Sequence, residues 1–97
     1  MLTIYGTKRI KFGTNASRNL RLRDKFPAIV YCSSKPNLAI ELEQYVFLNM
    51  EIKKIDLYKT KILLVINDIE CIVQIKTIQR HVFKSKILHI DFLRISS

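Results

Sequence analysis

Between residues 61 and 78 the chain reads KILLVINDIECIVQIKTI, two apolar, β-branched-rich runs separated by only Asn67 and Asp68. A two-residue loop joins antiparallel neighbours, and both loop residues tolerate the positive φ that a type I′ turn requires. The stretch predicts a hairpin of 61–66 against 69–78, with Cys71 on its second strand. An isolated hairpin is marginal in water and needs further strands to cover its apolar face. The rest of the chain must therefore supply them.

It does so in short pieces. Alternation and flanking turn residues predict strands over 3–11, 28–31, 38–42, 55–59 and 87–95. Gly13, Thr14 and Asn15 predict a turn, with Asn15 capping a short helix over 16–23 that Phe26-Pro27 stops. A second short helix is expected over 43–51. Six or seven short strands, two or three small helices and no long helix predict a mainly β (α+β) fold: an antiparallel barrel, or a sheet curled strongly enough to remove its own edges. At 97 residues the chain is expected to form one domain, 1–97, with a single modest core.

The closing segment KILHIDFLRI (residues 86–95) holds an unusual pair. Leu88, Ile90 and Phe92 alternate with His89 and Asp91, so a strand here sets imidazole and carboxylate side by side on the face away from the core. A hydrolytic dyad, a metal site, a surface salt bridge and a base-reading pair all share that pattern.

Charge narrows the choice. The net charge is +9, unevenly spread. Residues 1–25 carry seven basic groups against Asp24, and residues 76–97 carry five against Asp91, whereas the middle holds five bases and six acids. Basic ends form one positive face if the terminal strands lie together, which is how a polyanion footprint is built. Solubility alone needs no such segregation.

The other classes lack their parts. No Gly-x-Ser-x-Gly elbow accompanies His89 and Asp91, Ser17, Ser33 and Ser34 lie in basic or turn segments, and neither cysteine has a nucleophile's signature, so catalysis is not expected. The spacings of Cys32, Cys71, His81 and His89 fit no zinc pattern, and no cofactor is implied. The longest apolar runs, such as Ile62–Ile66, fall far short of the roughly 20 residues that cross a bilayer. The N-terminus has no apolar signal-peptide core, so a cytosolic location is expected. The two cysteines then read as free thiols. What remains is nucleic acid. Arginines that fork onto phosphate, a helix start and side chains such as Gln79, His89 and Asp91 suit it. No helix is long enough for deep major-groove reading, so a sheet face against the wide, shallow minor groove of RNA fits better.

The runs GTNASRNLR, KFPAIVY, LAIEL and IQRH followed by HIDF resemble, in order and spacing, the bacterial large-subunit ribosomal protein number twenty-five family. That 5S ribosomal RNA-binding family includes the general stress protein Ctc, and the resemblance, over nearly the whole chain, is to its short single-domain form. It implies a six-stranded antiparallel β-barrel with short helices, bound to an internal loop of 5S ribosomal RNA in the central protuberance. The implied role is a non-catalytic part of the translating ribonucleoprotein, cytoplasmic and ribosome-associated. The implied partners are 5S ribosomal RNA and neighbouring large-subunit proteins, with no membrane or small-molecule substrate and a monomer off the ribosome. The alternative is a free-standing RNA-binding stress module that only visits the ribosome.

By position, the RNA-facing residues implied are Arg9, Ser17, Arg18, Arg21, Tyr31, Gln79, His89 and Asp91. The sequence departs from the family pattern at Asn15, Asn19, Cys32 and Val82, where glycine, arginine, glycine and proline are usual. Asn15 preserves a turn, whereas Asn19 removes a potential phosphate contact.

Overall fold

A computed structural model describes residues 2–9, 14–33 and 35–96, with the side chains of residues 14, 16, 17, 21 and 96 outside that description. The described elements are β1 (Leu2–Lys8), α1 (Thr14–Leu22), β2 (Lys25–Tyr31), β3 (Leu38–Glu43), α2 (Gln44–Ile52), β4 (Ile62–Ile66), β5 (Ile69–Arg80) and β6 (Ile87–Ser96). The strands close into a barrel in the order β1-β3-β2-β6-β5-β4. Closure leaves no free edge, as the many short strands predict.

The six-stranded barrel with two short helices is the expected fold, but its pairing is mixed. The β1–β3, β2–β3, β4–β5 and β5–β6 seams are antiparallel. The β1–β4 and β2–β6 seams are parallel. Parallel neighbours need a long connection rather than a tight turn, and each of these pairs is separated in the chain by at least two other elements.

Strand alternation builds the core directly. Phe26, Ala28 and Val30 of β2, Ile40 and Leu42 of β3, Ile62, Leu64 and Ile66 of β4, Cys71, Val73 and Ile75 of β5, and Ile90 and Phe92 of β6 all point inward. The helix α2 adds Phe47 and Met50, and the Phe47 ring meets Phe26 edge to face at 5.4 Å, a favoured aromatic geometry.

The hairpin around Asn67-Asp68 forms as predicted, Ile66 opposite Ile69. Only Asn67 takes a positive φ, at 53°, so the loop is not the type I′ expected, which needs both residues there. Three other expectations change. The helix α1 starts at Thr14, placing Asn15 inside its first turn rather than at its cap; Gly13 lies outside the described residues. It ends not at Phe26-Pro27 but before Asp24, whose φ of 59° turns the chain left-handed, a conformation aspartate tolerates. Phe26 and Pro27 belong to β2 instead. That strand pairs with β6 only from Ala28 onward, so Pro27 sits where one side is still open and a missing N–H is tolerated.

The strand expected over 55–59 is a turn. Asp56 organises it: its side chain accepts from the Tyr58 N–H at 3.1 Å, and its carbonyl from the Thr60 hydroxyl at 2.7 Å. Such local bonds by aspartate compete with strand pairing.

Candidate nucleic-acid interface

The site is built on the outer face of β2, β6 and β5. Because Ile90 and Phe92 are fully buried, alternation turns His89 and Asp91 outward together. Register places Gln79 opposite His89 and Thr77 opposite Asp91. On the other side Ile29 faces Asp91 and Tyr31 faces Leu93. Four of the expected residues, Tyr31, Gln79, His89 and Asp91, are thereby gathered on one curved surface.

His89 Nδ1 lies 3.3 Å from Asp91 Oδ1, with both side chains roughly four-fifths buried. The carboxylate oxygen is shielded from water, yet no well-aligned hydrogen bond reaches it among the described residues. A shielded carboxylate with spare acceptor capacity is expensive to leave unpaired. That oxygen faces His89, and only the fifth of the Asp91 side chain that stays exposed is open to an N–H or O–H donor; a phosphate it would repel.

The half-buried Tyr31 carries Lys76 over its ring, Nζ 5.4 Å from the centroid. Lys76 reaches that position because the β5–β6 register shifts between Ile75 and Thr77. A bulge of this kind re-aims one side chain without disturbing the face on either side.

The terminal strands do not lie together, contrary to the condition set for a single positive face: β3 and β2 separate β1 from β6. The N-terminal charge arrives by another route. The helix α1 packs on β2, the strand beside β6, and Arg18 of α1 shares a depression with Lys84 and Lys86 of the β5–β6 loop. Ser17 and Arg21 also fall on α1, but their side chains lie outside the described residues. Arg9 follows β1, its N–H donating to the Ala39 carbonyl at 3.0 Å. Ala39 pairs with Ile29 and Ile29 with Asp91, so Arg9 stands in the same transverse row as Asp91, three strand spacings or roughly 14 Å away along the sheet.

Three cations, Lys86 of the Arg18 depression among them, are already engaged. Lys25 lies between Glu41 and Glu43 at 3.8 and 3.7 Å, Arg80 pairs with Glu51, and Lys86 with Asp24 at 2.9 Å. Sequence reasoning missed Lys76, whose placement depends on a bulge, and the loop cations, whose partner helix is distant in sequence. Both cysteines are free thiols. Burial pushes the Cys71 thiol up, Arg94 opposing and Cys32 adding to it.

The profile of the Ribosomal L25p family matches residues 4–92. The chain belongs to that family. It is 55% identical over 96 residues to the large ribosomal subunit protein bL25 of Buchnera aphidicola subsp. Baizongia pistaciae, covering 99% of each chain. It is 45% identical over 95 residues to bL25 of Yersinia enterocolitica, covering 98% of this chain and all of that one. To bL25 of Buchnera aphidicola subsp. Acyrthosiphon pisum (strain Tuc7) it is 44% identical over 93 residues, covering 96% and 97%. The L25p chain is thus a structural ribosomal protein, ribosome-associated and cytoplasmic, and not an enzyme. In an L25p protein the His89–Asp91 pair needs no nucleophile or metal.

Proposed function

We propose that this chain binds 5S ribosomal RNA at an internal loop in the central protuberance of the large subunit, the whole of 1–97 acting as one RNA-binding domain. The supporting observation is the outward face on which Asp91 and His89 stand beside Gln79 and Tyr31. Basic side chains of α1 and the β5–β6 loop flank it. Base edges and 2′-hydroxyls meet the first group, and phosphates meet the second. Neighbouring large-subunit proteins are the further partners.

A salt titration of affinity separates the two kinds of contact. Arg18→Ala is expected to weaken binding to the 5S internal loop and to a plain A-form duplex alike, flattening the log–log salt slope by about 0.7 to 0.9. Asp91→Asn is expected to cost about 1 to 3 kcal/mol on the internal loop alone, with the slope nearly unchanged. Tighter binding by Asp91→Asn at every salt concentration would return the pair to an ordinary surface contact. Equal affinity of the unaltered protein for loop and duplex would sink the 5S assignment.

A further inference from the structure

Three large apolar side chains stand in the open at one end of the barrel. Phe83 is 92% exposed, Val82 85% and Leu22 80%. Single exposed apolar residues are ordinary, but Leu22 lies in a depression with Arg18, and Val82 and Phe83 belong to the loop that brings Lys84 and Lys86 to the same depression. Arg18, Leu22, His81, Lys84 and Lys86 contribute to a cavity of about 310 Å³; Lys86 is paired with Asp24 at 2.9 Å, so Arg18 and Lys84 supply its positive charge.

The loop that presents Phe83 is held in shape. His81 Nδ1 accepts the N–H of Phe83 at 3.1 Å and that of Lys84 at 3.2 Å. The His81 N–H donates to the Lys86 carbonyl at 2.9 Å and closes the loop. The His81 ring lies 6.5 Å from that of Phe83, tilted by 59°. Below it, the Gln44 amide donates to the Ile87 carbonyl at 2.6 Å and accepts its N–H at 3.1 Å. A loop whose backbone is fixed in this way and whose aromatic ring is left almost wholly in water presents a face to another flat ring.

We propose that Phe83 is a stacking platform for one unpaired nucleotide of the bound RNA, with Arg18 and Lys84 on the phosphates that flank it. The proposal rests on the RNA-binding reading above and extends the interface from the β2–β6–β5 face to the barrel end. Stacking on an aromatic ring is sequence-tolerant, because every base has a π-face. The platform therefore adds affinity for a splayed, single-stranded nucleotide and none for a closed duplex. The apolar segment of a neighbouring protein is the competing occupant, but the cationic rim favours a polyanion.

The test measures affinity for transcribed 5S ribosomal RNA at fixed salt, with Phe83→Leu and Phe83→Trp beside the unaltered protein. Phe83→Leu keeps an apolar side chain and removes the π-face. It is expected to weaken binding about 5- to 150-fold, with unchanged salt slope and melting temperature. Phe83→Trp is expected to bind within about twofold of the unaltered protein, its indole emission quenched as RNA is added. Phe83→Leu binding like the unaltered protein, or unquenched Phe83→Trp emission at saturating RNA, overturns the platform while leaving the 5S reading intact. Loss of large-subunit association with unchanged RNA affinity overturns it in favour of a protein partner. An unaltered protein that does not bind 5S ribosomal RNA overturns both.

Discussion

Replacing Gln44 by alanine tests how the start of β6 is held. Ile87 opens that strand, while β2 joins it only from Ile90. In the gap the Gln44 side chain acts as a one-residue neighbouring strand, giving its N–H to the Ile87 carbonyl at 2.6 Å and taking the Ile87 N–H at 3.1 Å. Each neutral hydrogen bond contributes about 0.5 to 1.5 kcal/mol net, so losing both is expected to cost about 1 to 3 kcal/mol. The upper part of that range applies if the Ile87 groups stay dry. Each kcal/mol corresponds to a fall in melting temperature of about 4 to 8 °C in a domain of this size. Thermal and urea unfolding of Gln44→Ala measure the loss.

Gln44→Glu sharpens the test. At neutral pH its carboxylate still accepts from the Ile87 N–H but faces the Ile87 carbonyl without a proton to give. Acid restores a donor. The introduced carboxyl thus has a raised folded-state pKa. Relative to alanine, its stabilisation is present below the unfolded value near about 4.3 and fades as pH rises through the folded one. A Gln44→Ala loss below about 0.5 kcal/mol, less than one typical bond, would refute the reasoning, as would a Gln44→Glu protein whose stability relative to Gln44→Ala ignores pH.

Lys54 has φ 58° and ends α2 in a Schellman motif, with Lys54 N–H on Glu51 O at 2.9 Å and Ile55 N–H on Met50 O at 3.0 Å. Lys54→Gly removes a left-handed Cβ and is expected to stabilise by about 1 kcal/mol in chemical denaturation. A Cβ on Gly6 would sit 2.8 Å from Leu42 Cδ2 and 3.3 Å from the Glu41 carbonyl. Because Leu42 is 1% exposed, Gly6→Ala is expected to destabilise by about 1 to 3 kcal/mol in urea melts. The raised Cys71 thiol favours its neutral form in the fold, so its share of stability is complete below the unfolded thiol pKa and lost as pH climbs through the folded one. Urea midpoints between neutral pH and about pH 10 are therefore expected to fall more steeply than in Cys71→Ala.

The hairpin was legible because every determinant of it lies within a few residues: two alternating runs and a loop that tolerates positive φ. The outward placement of His89 and Asp91 was legible for the same reason, since alternation is local. The parallel seams were not. Strand alternation looks the same whichever way a neighbour runs, and partners such as Ala28 and Ile90 are far apart in the chain. The β2 start was hidden by Pro27, which breaks a central strand unless one side is still unpaired. The turn at Asp56 was hidden by apolar neighbours, of which Leu57 is buried without any ladder. Lys76 depends on a bulge, and a bulge leaves no mark in a single sequence.

The parallel β2–β6 seam also explains how the two basic ends of the chain meet. Were β6 to close the barrel against β1, the N-terminal charge would approach it through Lys8 and Arg9. Closure instead runs β1 against β4, which sends β1 to the far side. The crossover from β1 to β2 carries α1 back over the sheet, and β2 delivers that helix to the edge of β6. A strand delivers charge as alternate side chains on a fixed face, whereas a helix beside the sheet offers arginines on long stems at a different height. Phosphates of a folded RNA rise above the plane of the base edges that a shallow groove exposes. On the proposed RNA-binding reading, the groups assigned to bases on the sheet and those assigned to phosphates on the flanking helix and loop would meet the two levels an RNA groove presents, and the mixed pairing of the barrel is what places sheet face, helix and loop side by side.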